Sequence, residues 1–218
     1  MAIRIVFFDC DGTLTKVKSS WEYIHRRLNI WDNHADEYQM LFREGKINYD
    51  EFCRRDALLW RGLNLADIFE IIKEIPYQQG AAETVATLKD MGIFTVILST
   101  GLSFLVNRVR DDLGVHMSLS NDLLVEDGVL TGGTAINVQY DKKGYWVNKV
   151  LKEKGLNRLV SCAVGDGEGD RDMFNAVSVS IMYGSDKSAA PSYVYTIHAG
   201  SLAKVVEIIR GHSGDNEA

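Results

Sequence analysis

A short apolar run opens the chain and ends at two acidic residues. The run from Ile3 to Phe8 is rich in β-branched and aromatic side chains, which predicts a buried strand. Successive side chains of a strand point to opposite faces, so we expect Asp9 and Asp11 on one side and Cys10 on the other. The pattern therefore places two carboxylates together at the carboxyl end of the first strand.

Residues 19 to 75 carry apolar side chains at helical spacing, beginning with Trp21, Ile24 and Leu28. This block predicts about four helices and no strand. Helices inserted directly after a strand that ends in acidic residues are typical of a cap or lid domain. We assign residues 16–75 to a helical cap; the alternative is that these helices form one flank of a single domain.

After Pro76 the pattern alternates between helices and strands, which predicts an α/β fold. The predicted helices are Ala81–Met91, Ser103–Leu113, Gly144–Lys154 and Ser201–Ile209. The predicted strands are Phe94–Ser99, Leu123–Glu126, Val129–Gly132, Leu159–Val164, Val179–Met182 and Tyr193–Ile197. Asp127-Gly128 lies between two of them and is a strong hairpin signal.

The fold class that follows is a doubly wound, mostly parallel sheet with an inserted helical cap. The α/β core is expected to be discontinuous, with residues 1–15 and 76–212 on either side of the cap. Residues 213–218 are polar and are expected to form a frayed tail.

The charge and cysteine content of the chain limit the kinds of ligand and partner that it is expected to bind. A net charge of −6 argues against a nucleic-acid surface, and no block of like charge indicates a membrane patch. Cys10, Cys53 and Cys162 are odd in number and lack CxxC pairing, which supports neither a disulfide framework nor a zinc knuckle. The N-terminal apolar run is too short for a signal-peptide core. We therefore expect a cytoplasmic protein with a small ligand and leave its oligomeric state open.

Candidate chemistry follows three of the predicted strands. Asp9 and Asp11 follow one strand, Ser99-Thr100-Gly101 another and Gly165 to Asp170 a third. Ligands of open parallel sheets bind at these carboxyl ends. Two nearby carboxylates repel, and a divalent cation or a shared proton relieves the repulsion. The alternative is that Asp11-Gly12 only marks a turn with solvated acids.

Two features of the sequence could bind phosphate: one of these strand ends and a lysine that lies between two of the predicted strands. The hydroxyls and N–H groups of Ser99-Thr100-Gly101 could bind phosphate oxygens at a helix N-terminus. Taken alone, the triplet could equally be an ordinary helix N-cap. Lys143 could supply the cation that offsets charge on a phosphoryl group and on Asp9, with Lys142 as its rival.

The segment Gly165-Asp166-Gly167-Glu168-Gly169-Asp170 is too acidic for a Walker loop, which needs Gly-Lys-Ser/Thr. Carboxylate oxygens suit a hard ion, and a site with few protein ligands favours Mg²⁺ over Ca²⁺. We interpret the segment as a metal loop; the alternative is a glycine-rich loop with solvated acids.

These segments resemble the haloacid dehalogenase superfamily of phosphohydrolases over nearly the whole chain. Its four motifs are matched in order by Asp9–Thr15, Ser99, Lys143 and Gly165–Asp170. The helical insert, the Gly45-Lys46-Ile47-Asn48-Tyr49 segment and Asp127-Gly128-Val129-Leu130-Thr131-Gly132 resemble the phosphoserine phosphatase branch.

The resemblance implies a phosphatase in which Asp9 attacks phosphorus and forms a phospho-aspartate. Asp11 would protonate the departing alkoxide and then deprotonate the water that hydrolyses the intermediate. Mg²⁺ would be held by the Asp9 side chain, the Asp11 main-chain carbonyl and Asp166, with Asp170 as ligand or outer-shell anchor. The expected phosphate-binding residues are Ser99, Thr100 and Lys143.

Two cap positions differ in charge from the residues that the phosphoserine phosphatase branch has there. Phosphoserine phosphatases use a cap glutamate near the hinge for the substrate ammonium and a cap arginine for its carboxylate. Ungapped comparison puts Lys18 and Asp56 at these positions, so both charges are inverted; a single shift of register could bring in Glu22, Arg54 or Arg55. The candidate cap contacts are Lys18, Tyr49, Arg55 and Asp56.

Gly169 stands where the fourth motif usually has asparagine, which removes a possible phosphate contact. The hypothesis is a small phosphorylated metabolite whose leaving group need not be serine. The alternatives are a phosphotransferase or phosphomutase with the same intermediate, a phosphorylatable signalling domain and a catalytically silent binding module.

Overall fold

The computed structural model describes residues 1–31, 33–184, 193–198 and 200–214. The strands are β1 (Ile5–Phe8), β2 (Phe94–Leu102), β3 (Met117–Glu126), β4 (Val129–Ala135), β5 (Ser161–Gly165), β6 (Val179–Tyr183) and β7 (Tyr195–Ile197). The helices are α1 (Ser20–Arg27), α2 (Asn33–Arg43), α3 (Tyr49–Leu58), α4 (Leu65–Lys73), α5 (Ala81–Asp90), α6 (Ser103–Leu113), α7 (Lys143–Glu153), α8 (Arg171–Asn175) and α9 (Lys204–Gly214). Arg158–Val160 and Glu168–Asp170 are short 3₁₀ turns. Within these residues, no helix is both long and apolar enough to cross a bilayer.

Strand β1 lies at the centre of a seven-stranded sheet with the order β4-β3-β2-β1-β5-β6-β7. Every neighbouring pair is parallel except β3 and β4, which form the hairpin predicted around Asp127-Gly128. The strand order reverses at β1, so the carboxyl ends of β1, β2 and β5 border one crevice. The predicted doubly wound α/β class is confirmed.

Hydrophobic layers cover both faces of the central strands. Phe7 and Phe8 are fully buried in different layers, Phe7 with Leu98 and Phe8 with Ile97. Because β1 is buried on both faces, its sequence is a continuous apolar run rather than an alternating one. This packing gives the residues that follow β1 a fixed position.

The four predicted helices between β1 and α5 are present as α1 to α4. The two connections to this insertion run side by side: the Lys16 N–H donates to the Pro76 carbonyl (2.9 Å) and the Gln78 N–H to the Leu14 carbonyl (2.9 Å). These bonds tie the first helix closely to the end of β1. We propose that the insertion is a cap with residues 16–75 as its bounds.

Most strand boundaries differ from the predictions, and the largest difference is in β3, which begins at Met117 rather than Leu123. β5 begins at Ser161 because Asn157 accepts a hydrogen bond from the Leu159 N–H (2.9 Å) and caps a 3₁₀ turn in front of it. β2 continues past Ser99 to Leu102, with irregular pairing to β3 over its last residues. Helix α8 was not predicted, since its five residues are too few for a clear helical period.

The closing helix also differs from its predicted bounds. It begins at Lys204 rather than Ser201 and continues to Gly214. Residues 213 and 214 therefore belong to the helix rather than to a frayed tail. The rest of that predicted tail, residues 215–218, lies outside the described residues.

Candidate active site

The turn after β1 is tightly wound. The Asp9 N–H donates to the Val164 carbonyl of β5 (2.9 Å), so Asp9 is still held by the sheet. The Cys10 carbonyl then accepts the N–H groups of Leu14 (2.9 Å) and Thr15 (3.0 Å). This places the Asp9 side chain at the edge of the crevice on a rigid support.

Gly12 is required in this turn for two reasons. Its φ of +82° lies in the left-handed region, where a side chain is strained. A Cβ at this position would also lie 2.3 Å from Oδ2 of Asp166. Only glycine lets the β1 turn approach the loop after β5 this closely.

Three carboxylates converge in the crevice. One oxygen from each of Asp9, Asp166 and Asp170 lies within 4.8 Å of the others. Asp9 and Asp170 are buried, and Asp166 is half-buried. A compact set of hard oxygen donors with an open side fits a divalent cation such as Mg²⁺.

Lys143 is the cation at the centre of the cluster. Its Nζ donates to Oδ1 of Asp9 and to Oδ1 of Asp170, both at 2.6 Å, and its side chain is only 2% exposed. Burial alone would lower the pKa of Lys143, but Asp170 and Asp9 outweigh it and raise the pKa. Lys143, rather than the exposed Lys142, is thus the lysine in the crevice.

The pKa values of two carboxyls of the cluster are raised, chiefly by burial. Burial raises the pKa of Asp9, with further contributions from Asp170 and Asp166, although Lys143 opposes the rise. Burial likewise raises the pKa of Asp166 to about 6, against a hydrogen bond from Lys18. A further cation in the crevice would stabilise the ionised form of these carboxylates.

Asp170 anchors the loop after β5. Its Oδ2 accepts the N–H groups of Asp166 (2.9 Å) and Gly167 (3.3 Å), while Oδ1 accepts Lys143. A Cβ at Gly165 would lie 2.3 Å from the same Oδ2, so glycine is needed beside it. Both Asp170 oxygens are engaged by the protein, which suits an outer-shell anchor better than a direct metal ligand.

The Asp11 carboxyl is held by the cap. Its Oδ2 accepts both the N–H and the hydroxyl of Ser20, each at 2.7 Å, at the start of α1. Its Oδ1 is buried without a hydrogen-bond partner among the described residues. Burial raises the pKa of Asp11, and the Ser20 hydrogen bonds oppose that rise. An acid with a raised pKa and one free oxygen suits proton transfer.

We expect Ser20→Ala to lower kcat about 10-fold, because the Asp11 carboxyl keeps only the hydrogen bond from the Ser20 N–H and its orientation is less well fixed. Steady-state kinetics measure the effect, and thermal unfolding shows whether the variant is folded. Ser20→Thr keeps the hydroxyl and serves as the control, with kcat close to wild type. Equal losses in both variants would show that Ser20 acts only through packing.

Ser99 and Thr100 both border the crevice, but not at a helix N-terminus. They lie in β2, and α6 begins only at Ser103 with no side-chain cap, so the predicted placement and the N-cap alternative are both wrong. The Thr100 carbonyl accepts the Tyr49 hydroxyl (2.7 Å) and the Asn121 amide (3.0 Å), which keeps this segment extended. Its position in the crevice agrees with the prediction.

Of the four candidate cap contacts, two line the crevice. Lys18 does so with its Nζ 2.6 Å from Oδ2 of Asp166, and Tyr49 does so from the start of α3. Lys18 thus sits beside a predicted metal ligand.

The other two candidates lie elsewhere. Arg55 donates to Glu51 (2.7 Å) and packs over the ring of Tyr38. Asp56 is buried with its Oδ1 3.7 Å from Nε2 of His25 in α1. Neither lines the crevice. The prediction was wrong for these two residues because an ungapped comparison aligns sequence positions but does not show which neighbour a helix face packs against.

The crevice opens into a cleft of about 800 Å³ between the sheet and the inserted helices. Sequence reasoning missed several residues that line it: Trp21, Gln39, Phe42, Arg43, Phe52 and Tyr140. Trp21, Phe42 and Phe52 fit a helical period, and that pattern does not separate a core position from a cleft position.

Comparisons with known proteins agree with this geometry. A family model described as haloacid dehalogenase-like hydrolase matches residues 6–175. The phosphoserine phosphatase of Methanocaldococcus jannaschii is 30% identical over 83% of this chain and 85% of that protein. The phosphoserine phosphatase of Lactococcus lactis is 29% identical over 94% of each.

Solved structures are similar as well. A phospho-aspartyl intermediate analogue of phosphoserine phosphatase aligns with a TM-score of 0.84 and 26% identity, over 95% of this chain and 99% of that chain. A substrate-bound phosphoserine phosphatase complex aligns with the same values.

Proposed function

This chain belongs to the haloacid dehalogenase-like hydrolases, and from that premise we propose that it is a Mg²⁺-dependent phosphatase that hydrolyses a small phosphomonoester through an aspartyl-phosphate on Asp9. The observation that carries the proposal is the convergence of Asp9, Asp166 and Asp170 around Lys143 at adjoining strand ends. Relatives named phosphoserine phosphatases support it.

The residues that would hold Mg²⁺ are the Asp9 and Asp166 carboxylates and the Asp11 main-chain carbonyl, with Asp170 as the anchor of the loop. When bound, the ion neutralises charge on the phosphoryl oxygens and on the carboxylates. The carboxylate donor set and its raised pKa values fit such an ion.

In the first step Asp9 attacks phosphorus. Its Oδ1 is fixed by Lys143, which orients the carboxylate for attack through its other oxygen. The new bond joins the Asp9 oxygen to phosphorus, and the bond to the leaving oxygen breaks. Asp11 gives its proton to that leaving oxygen through the carboxyl oxygen that Ser20 does not bind.

In the second step water attacks the phosphorus of phospho-Asp9. Asp11, now ionised, takes a proton from this water, and the Asp9–phosphorus bond breaks to release inorganic phosphate. Ser99, Thr100 and Lys143, which line the cleft, would bind phosphoryl oxygens during both steps. The cap holds Asp11 through Ser20, so the position of the cap and the position of the acid are linked.

The expected setting is a reducing cytoplasm. The three cysteines are buried and free, as intracellular thiols usually are. The substrate is a small phosphorylated metabolite that fits a cleft rather than an extended surface.

The test is phosphate release from a panel of small phosphomonoesters, with no acceptor alcohol added. We expect no release after metal is removed with EDTA and full recovery with Mg²⁺. Asp166→Asn should raise the Mg²⁺ concentration for half-activation about 10- to 100-fold, since it removes a charged ligand. Glu168→Gln in the same loop is the matched control.

Two results would contradict the proposal. Turnover that is unaffected by EDTA would exclude a role for the metal. Release that requires an added alcohol, with phosphate appearing on that alcohol, would identify a phosphotransferase instead.

A further inference from the structure

Of the three cationic residues that line the cleft, one has no acid partner among the described residues. Lys143 pairs with Asp9 and Asp170, and Lys18 contacts Asp166. Arg43, the last residue of α2, also lines the cleft, and in the described part of the chain its guanidinium makes no ion pair or hydrogen bond.

The remaining acid of the cleft does not offset this charge. Glu168 lines the cleft, but its carboxylate lies 3.7 Å from the guanidinium of Arg171. Gln39 is one helical turn before Arg43 and lines the cleft as well, so both present donors from one face of α2.

Beside Arg43 lies a set of rings that we call the aromatic wall: Phe42, Tyr49, Phe52 and Tyr140. The Phe42 ring centroid is 5.2 Å from Phe52 and 5.3 Å from Tyr140, and Tyr49 is 6.0 Å from Tyr140. Three of the four rings are only half-buried, so they retain apolar surface toward the cleft.

The wall is held rigidly against the catalytic core. Tyr49 donates its hydroxyl to the Thr100 carbonyl (2.7 Å). The fully buried Asn121 binds that carbonyl and accepts the Val138 N–H (2.7 Å), which fixes the segment before Tyr140. Such anchoring gives the wall a defined shape before any ligand binds.

Gly169 brings the wall next to the metal loop. A Cβ at this position would lie 3.1 Å from the Tyr140 ring, tighter than ordinary contact. A larger residue here would push Tyr140 away from the loop. Arg43 is also close enough to the wall to oppose the rise that burial causes in the pKa of Tyr140.

Resting on the proposed function, we infer that the leaving group has an apolar body that packs on the aromatic wall and an anionic group that binds Arg43 and Gln39. Apolar surface beside a reaction centre is matched by apolar ligand surface. A guanidinium binds carboxylate or phosphate oxygens with two directed hydrogen bonds. Serine offers no apolar body that could pack on the aromatic wall.

A matched pair of substrates tests both parts of the inference. Phenyl phosphate has the apolar body alone, and 4-carboxyphenyl phosphate adds an anionic group to the same ring. 2-Phosphoglycolate is anionic without an apolar body, and O-phosphoserine is the reference amino acid. We expect kcat/KM to be highest for 4-carboxyphenyl phosphate, about 10-fold above phenyl phosphate.

Arg43→Met should lower kcat/KM for 4-carboxyphenyl phosphate about 10- to 100-fold, mainly through KM, and affect phenyl phosphate much less. Arg43→Lys should recover part of the loss. Lys46→Met removes an exposed cap cation that does not line the cleft, and it is the matched control. Phe52→Leu should raise KM for both aryl phosphates more than for 2-phosphoglycolate.

The results separate this inference from the proposed function. If Arg43→Met weakens phenyl and 4-carboxyphenyl phosphate equally, or if phosphoserine is the best substrate, the inference is wrong while the phosphatase stands. If no substrate is hydrolysed with Mg²⁺, the proposed function fails. Calorimetric binding of 4-carboxyphenyl phosphate to Asp9→Asn, with and without Arg43→Met, then still decides whether Arg43 binds the anionic group.

Discussion

Asp9→Asn is expected to lower kcat at least ~10⁴-fold, because an amide oxygen cannot act as the nucleophile that forms the acyl phosphate. The substitution keeps the shape of the side chain. It also removes a buried negative charge whose pKa the site already raises, so the protein should remain folded. Steady-state phosphate release measures the loss, and thermal unfolding confirms the fold.

A second readout tests the covalent step itself. Wild-type protein quenched in acid during turnover of a ³²P-labelled substrate should retain label, and Asp9→Asn should retain none. Asp141→Asn, an exposed acid outside the cleft, is the matched control and should behave as wild type. Undiminished phosphate release by Asp9→Asn would remove Asp9 from the nucleophile role and leave the mechanism without its first step.

The features that could be predicted best from the sequence are those that depend on a local pattern of residues. β1 was predictable because a strand buried on both faces has a continuous apolar run, and Asp9 and Asp11 follow it directly. Lys143 could be chosen only with Lys142 as a rival, since nothing local distinguishes two adjacent lysines. Burial makes the distinction: Lys143 begins α7 inside the site, and Lys142 is exposed.

The missed residues depend on packing between distant segments. Ser20 contacts Asp11 where the two cap connections are hydrogen-bonded side by side after β1, and no local sequence pattern predicts that pairing. Phe42 and Tyr140 come from α2 and from the segment after β4, and no sequence pattern places them in contact.

The same reason explains the candidates that lie elsewhere. The ungapped comparison makes Asp56 a candidate cap contact, but in this chain it is buried beside His25. A match in register does not fix what a helix face contacts. Of the two positions where the ungapped comparison predicts an inverted charge, Lys18 lines the cleft and Asp56 does not.

Lys143→Met is expected to reduce both stability and activity. The substitution removes the only amine that bridges Asp9 and Asp170 in the described structure, and it leaves two buried carboxylates facing each other. Breaking a buried ion pair from one side costs about 3–5 kcal/mol, because the remaining charge is left uncompensated. Urea unfolding of the metal-free protein measures this loss.

The catalytic effect has a separate cause. Without Lys143, Asp9 Oδ1 is no longer fixed and the transferring phosphoryl group loses a cation, so kcat should fall by about 10²–10³-fold even where the variant is folded. Activity is measured at saturating Mg²⁺ and at a temperature below the unfolding transition. A variant that is folded at the assay temperature but slow has lost catalytic function and not only stability.

Lys142→Met is the matched control, because it removes the same charge one residue earlier from an exposed position. It should change neither the free energy of unfolding nor kcat appreciably. If Lys142→Met were the more damaging of the two, or if Lys143→Met kept full stability and activity, the bridge between Asp9 and Asp170 would have no role in the reaction. The convergence of β1, β5 and α7 would then be a structural feature of the core rather than the basis of catalysis.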